Sequence, residues 1–250
     1  MTPELVPEHV PEQAQEERYP FWRYTDLLLF FGLGLPCIFA GQLLVRAFTL
    51  VFHLDVSNKG LLLIPAQFVG YGLLFLALYA IFKTQYDRPF WRSLGWVDFR
   101  FSLLATMMLG AMVAFAVAGG AVLMRTPDVD TPMREMLSKR ATAILIAIFA
   151  TTIGPVCEEL AFRGFMQPLL VRSFGPVRGI LLTALPFGLL HLEQNAFSWR
   201  HVLLITLAGT AFGSMRHLSG STRASAWMHA AYNFTFCLAF FAAERKLPAW

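Results

Sequence analysis

Seven stretches of this chain are predominantly apolar: residues 27–52, 61–82, 101–124, 141–172, 177–192, 199–216 and 224–243. That pattern constrains the fold more than any other feature. A helix needs about 20 such residues to cross a bilayer, and a helix satisfies its own backbone hydrogen bonds in lipid. The reading is all-α: a polytopic transmembrane helix bundle of seven or eight helices. The ambiguity lies in 141–172, which is too long for one simple crossing. Gly154-Pro155 interrupts it, and a proline there predicts a kink or a break. Composition agrees, with 56% hydrophobic and 14% charged residues against about 25% charged in soluble domains. The expected location is a multi-pass integral membrane protein, in a bacterial inner (cell) membrane.

Two domains are expected. Residues 1–25 form a Pro- and Glu-rich tail with a short near-repeat (Pro3-Glu-Leu-Val, Pro7-Glu-His-Val, Pro11-Glu-Gln-Ala), read as disordered. It has neither the apolar run nor the basic start of a signal peptide. Residues 26–250 form the transmembrane helical domain. Tyr19, Phe21, Trp22 and Tyr24, with Arg18 and Arg23, have the look of an interfacial anchor. Thr84–Arg100 mixes aromatic and basic residues and reads as a segment lying in the interface. Residues 125–140 are the longest polar loop.

Charge points to a lipid partner. The net charge is +4, and without the first 25 residues the chain holds 18 basic against 11 acidic side chains, a balance that favours anionic headgroups. No basic stripe suited to nucleic acid is present. Cys37, Cys157 and Cys237 show no metal or redox spacing. Cys157, although beside Glu158, reads as a small buried helix residue.

Against this apolar background a few polar residues stand out. Glu158 and Glu159 sit inside the fourth run, and each carboxylate costs roughly 2.5–3.5 kcal/mol there even on the gentler insertion scale. Arg163 follows Glu159 at i+4, so the two share a helix face and can pair. Glu158 is turned about 100° away and stays uncommitted. The spacing thus suggests a structural acid, Glu159, and a working acid, Glu158. His191 lies near the end of the fifth run. His229 and Asn233 are again i and i+4, in the last. Polar side chains on a membrane helix seek partners in the bundle, and between Glu135 and Glu244 the only carboxylates are Glu158, Glu159 and Glu193. Glu193 is expected to face water.

These residue types suit hydrolysis. A glutamate can take a proton from water, a histidine can position that water, and a His–Asn pair can donate to an oxyanion. A zinc held by Glu158, His191 and His229 is the second route, although no HExxH helix accompanies it. No GxSxG serine motif and no paired aspartate motif occurs. The bland alternative is a charge cluster that braces helix packing.

Taken in order, Glu158-Glu159-x-x-x-Arg163, Phe187-x-x-x-His191 and His229-x-x-x-Asn233 resemble the three motifs of the type II CAAX prenyl endopeptidase family, also called the CPBP or Abi family of intramembrane glutamic proteases. Gly154-Pro155 ahead of the glutamates is also similar. The motifs are separated by 33 and 38 residues, and the resemblance covers about 141–243. It implies that Glu158 and His191 activate water and that His229 and Asn233 stabilise the oxyanion. It implies that Glu159 and Arg163 support the site, and that Phe187 packs beside it. The implied enzyme cleaves a membrane-associated protein or peptide, some members of the family acting on prenylated, CAAX-type proteins, and needs no cofactor and no metal. Some members of that family are tied instead to immunity or scaffolding roles, so a non-catalytic immunity or adaptor protein is the rival reading.

Overall fold

The computed structural model describes residues 19–54, 59–127 and 136–244. Seven long helical bodies and one single-turn helix account for most of them: α1 (Tyr24–Val51), α2 (Lys59–Gln85), α3 (Phe90–Ser93), α4 (Leu103–Leu123), α5 (Arg140–Phe174), α6 (Pro176–Leu189), α7 (Trp199–Ser219) and α8 (Thr222–Glu244). No strand occurs among the described residues. The chain is an all-α bundle, and α1, α2, α4 and α5 are long and apolar enough to cross a membrane. Their outer faces carry large exposed apolar side chains such as Leu35, Phe39, Phe115 and Val122. The protein is an integral membrane protein.

Helices pair where side chains are small. α1 packs along α2, α4 along α8, and α6 along α7. At the α1–α2 crossing a Cβ on Gly41 would lie 2.8 Å from the Gly70 backbone nitrogen. Only a residue without a side chain permits that approach, the usual basis of close helix packing in lipid.

The expected interruption of the fourth run is present, and α5 has three parts. Its first part ends at Thr151, and Thr152 leaves the helical region (φ −126°, ψ −90°). Pro155 explains the position. It offers no N–H to the carbonyl four residues back, and its ring crowds that carbonyl, so the helix opens just after Thr151. The helix resumes at Ile153 and widens into a π-helix over Leu160–Met166 before closing again at Gln167–Phe174. α6 is shorter than the expected run 177–192. It ends at Leu189, where tight turns take over and His191 N–H bonds to the Gly188 carbonyl at 3.1 Å.

The amino-terminal segment differs from expectation. Residues 1–18 of the expected tail lie outside the described residues, as do 128–135 of the polar loop. Residues 19–25, also assigned to the tail, pack against the bundle. Trp22 is fully buried rather than interfacial, in a cluster with Leu78, Phe82, Leu94 and Phe165. Its indole N–H donates to the Phe165 carbonyl at 3.0 Å. Phe165 belongs to the π-helical stretch, so the indole ties the amino-terminal segment to that part of α5. The segment Thr84–Arg100 holds α3, with Trp91 exposed, and a turn that clamps α8. Thr222 Oγ1 donates to the Leu94 carbonyl at 2.6 Å, and Ser221 Oγ donates to the Val97 carbonyl at 2.5 Å.

Candidate active site

The charged centre is built on α5. Glu159 and Arg163 are both fully buried, and Arg163 Nη1 donates to Glu159 Oε1 at 2.9 Å. This is the i, i+4 pair that the spacing predicts. Arg163 is held from other sides as well. Its Nη2 donates to the Gly209 carbonyl at 2.7 Å, and its Cζ lies 4.3 Å from the centre of the Phe187 ring and 5.5 Å from that of Phe212. A desolvated cation over an aromatic face is worth about 2 kcal/mol or more. Gly209 has to be glycine here, because a Cβ would lie 2.9 Å from the Phe187 ring and 3.0 Å from Arg163 Nη2.

His229 stands between the two glutamates. Its Nδ1 is 3.0 Å from Glu159 Oε1 and its Nε2 is 3.8 Å from Glu158 Oε2. A carboxylate oxygen only accepts, so Nδ1 carries the proton. A neutral His229 therefore carries its lone pair on Nε2, and Nε2 becomes a donor only in the cationic ring. Phe212 stacks on the imidazole, 4.5 Å between centroids and 18° between planes, which fixes its orientation.

His191 lies just beyond α6. Its Nδ1 is 2.8 Å from the Phe187 carbonyl. That carbonyl can only accept, so the neutral ring keeps its lone pair on Nε2. Asn195 Nδ2 donates to the His191 carbonyl at 2.8 Å and secures the turn. Asn233 lies one turn along α8 from His229. Its Nδ2 donates to the Ala150 carbonyl at 2.7 Å. Ala150 belongs to the last turn before the break in α5, where carbonyls have no partner within the helix. The break thus creates an acceptor, and Asn233 fills it with one of its two amide protons.

A cavity of about 780 Å³ adjoins these groups, and Glu158, His191, His229, Asn233 and Phe187 all line it. The Glu158 side chain is 24% exposed. Glu159 and Arg163 lie behind the wall. The sequence-derived residues are therefore brought together, with the two acids divided as expected. Glu193 is exposed, outside the cluster. Among the described residues no three His, Cys, Asp or Glu side chains gather closely enough to hold a metal ion.

Several lining residues escaped the sequence reading. Gln42 and Gln67, from α1 and α2, face the cavity, and Gln67 Nε2 donates to the Tyr71 hydroxyl at 3.1 Å. Their signal was there, since an amide isolated in a membrane helix needs a reason. Phe212 carried none, because an aromatic in an apolar run is ordinary.

Residues 140–235 match the family described as type II CAAX prenyl endopeptidase Rce1-like. The Rce1-like match begins with the first residue of α5 and ends two residues beyond Asn233, so it takes in every charged and polar group of the cluster. α1–α4 lie outside it. No curated protein and no solved structure matches the chain. The Rce1-like family is a protease family. At that coarse level the match supports a hydrolase in a lipid bilayer with a membrane-associated substrate.

Proposed function

We propose that the protein is an intramembrane endopeptidase of glutamate-dependent type. Glu158 and His191 activate a water, and His229 and Asn233 steady the oxyanion. The observation that carries this reading is the division of the two acids. Glu158 opens onto a cavity shared with His191, His229 and Asn233, while Glu159 is spent on Arg163 and His229. A brace needs only the buried pair and no cavity beside it.

The reaction runs as follows. Water in the cavity gives a proton to Glu158, aided by the free Nε2 of His191, and its oxygen attacks the peptide carbonyl. Negative charge grows on the carbonyl oxygen. The second Asn233 amide proton and a cationic His229 Nε2 are the available donors. Glu159 makes that cation tolerable from the Nδ1 side. The C–N bond then breaks, and the proton held by Glu158 passes to the departing amine. Arg163 holds Glu159 in register, and Phe187 packs between Arg163 and His191.

The substrate is a membrane-associated protein or peptide, with a CAAX-type prenylated peptide the first to test. The proposed setting is a bacterial inner membrane. The experiment incubates the purified chain with such a peptide and, in parallel, compares membrane-derived peptides from cells making wild type or Glu158→Gln. Glu158-dependent cleavage products are expected. Identical peptide patterns in both would favour the immunity or adaptor reading.

Asn233→Ala is expected to lower kcat by about 10²–10³, the effect of removing one oxyanion donor, with little change in KM. A raised KM with kcat intact would assign Asn233 to substrate binding instead. Thorough chelation is expected to leave activity unchanged, and elemental analysis to find no stoichiometric zinc. One zinc per chain, with activity lost on its removal and regained on its return, would overturn the glutamate mechanism in favour of Glu158, His191 and His229 as ligands.

A further inference from the structure

A second cavity, of about 300 Å³, lies on the other side of Arg163 from the candidate active site, and Tyr19, Arg163, Gln167, Arg172, Arg216 and His217 line it. Topology puts it at one end of the bundle, because Tyr19 precedes α1, Arg172 is in the last turn of α5 and Arg216 is in the last turn of α7. In a spanning bundle that end lies at the headgroup level.

The wall is cationic and incompletely satisfied. Arg216 makes one side-chain hydrogen bond, from Nη2 to the Tyr19 hydroxyl at 3.3 Å, and its solvent-shielded Nε has no partner. Arg163 commits Nη1 and Nη2 to Glu159 and Gly209, but its Nε, also shielded, has none. Gln167 gives its amide proton to the Gly213 carbonyl at 2.8 Å, and its Oε1 is left without a donor. Arg172 donates to the Pro20 carbonyl, and His217 is exposed at the rim. A cation in the last turn of a helix is ordinarily favoured by the helix dipole. That accounts for a solvated arginine, not for one with a shielded, unpaired N–H. Leaving a buried donor or acceptor unmade costs about 1–3 kcal/mol, more for a charged group. Three arginines, Arg163, Arg172 and Arg216, line the cavity, and no carboxylate is among its described lining residues. The complement of such a wall is an anion, and at the headgroup level the anion at hand is a phosphate.

We propose that this cavity binds a phosphate-type anion, with Arg216 as its principal partner and Arg172 and His217 beside it. At this depth the phosphate can belong to a phospholipid headgroup or be free. The test uses the full chain in a neutral detergent and follows thermal unfolding. Sodium phosphate, a short-chain phosphatidylglycerol and a short-chain phosphatidylcholine are titrated separately at fixed ionic strength. A ligand that binds the native state raises Tm as its concentration passes Kd. A rise with phosphatidylglycerol alone assigns the site to a headgroup, and a rise with inorganic phosphate as well shows that the phosphate suffices. Arg216→Gln should weaken the apparent affinity roughly tenfold or more, the loss of a hydrogen bond to a charged group. Should that variant not fold, His217→Glu decides, because it changes an exposed rim residue and puts a carboxylate against the ligand. No rise with either anionic ligand, an equal rise with phosphatidylcholine, or a rise undiminished in these variants overturns the proposal. The measurement needs no substrate, so its outcome is independent of the proposed peptidase activity.

Discussion

Glu158→Gln is expected to cut peptide-bond hydrolysis by about 10²–10⁴-fold, the usual contribution of one acid–base group, and to leave the protein folded. The two expectations arise from the same geometry. Glu158 lines the cavity, is 24% exposed, and has His229 Nε2 at 3.8 Å. Glutamine keeps the shape and loses the basicity, and no short hydrogen bond is broken. Turnover on a cleavable peptide should collapse while the thermal midpoint in detergent stays close to that of wild type. Near-normal turnover would remove Glu158 from the mechanism. A large fall in stability would mean that Glu158 braces the bundle.

The opposite balance is expected at Arg163. Arg163→Ala should destabilise by roughly 3–5 kcal/mol, because breaking a buried pair leaves an uncompensated charge, here Glu159 at zero exposure. It also empties the space beside Phe187 and Phe212 and removes the donor that ties α5 to the Gly209 carbonyl at 2.7 Å. Activity should fall along with stability, since His229 takes its orientation from Glu159. Arg163→Lys should recover only part of the loss, because a single ammonium cannot reproduce a planar fork that serves two acceptors and stacks on a ring. Thermal unfolding of both variants in one detergent is the measurement. An Arg163→Ala protein as stable as wild type but inactive would move Arg163 from supporting the site to contacting the substrate.

The helical bundle and the identity of its polar cluster were legible because lipid makes both conspicuous. Twenty apolar residues have few alternatives, and Glu158, Glu159, Arg163, His191, His229 and Asn233 are each costly where they stand. What stayed hidden was mostly backbone. The carbonyls of Gly209, Phe187 and Ala150 orient Arg163, His191 and Asn233, and a backbone acceptor has no letter in the sequence. Pro155 foretold a break, but not that it would fall at Thr152 and free an acceptor for Asn233. The π-helix over Leu160–Met166 has no compositional mark. Trp22 was misjudged for a related reason. Aromatic residues beside arginines suit an interface, and the Phe165 carbonyl that accepts from the indole has no letter in the sequence.

Arg163 has two sides. Its forked end holds Glu159, and through it His229, while the residue also lines a different cavity. One side chain therefore lines the rear compartment and, through Glu159 and Phe187, supports the front one. By thermodynamic linkage, any occupant of the rear compartment that displaces Arg163 changes affinity at the front, and a front occupant changes affinity at the rear by the same factor. The bundle thus contains the elements of a reciprocal coupling without any moving domain. The side chain that would carry it is held by Glu159, the Gly209 carbonyl and the Phe187 ring.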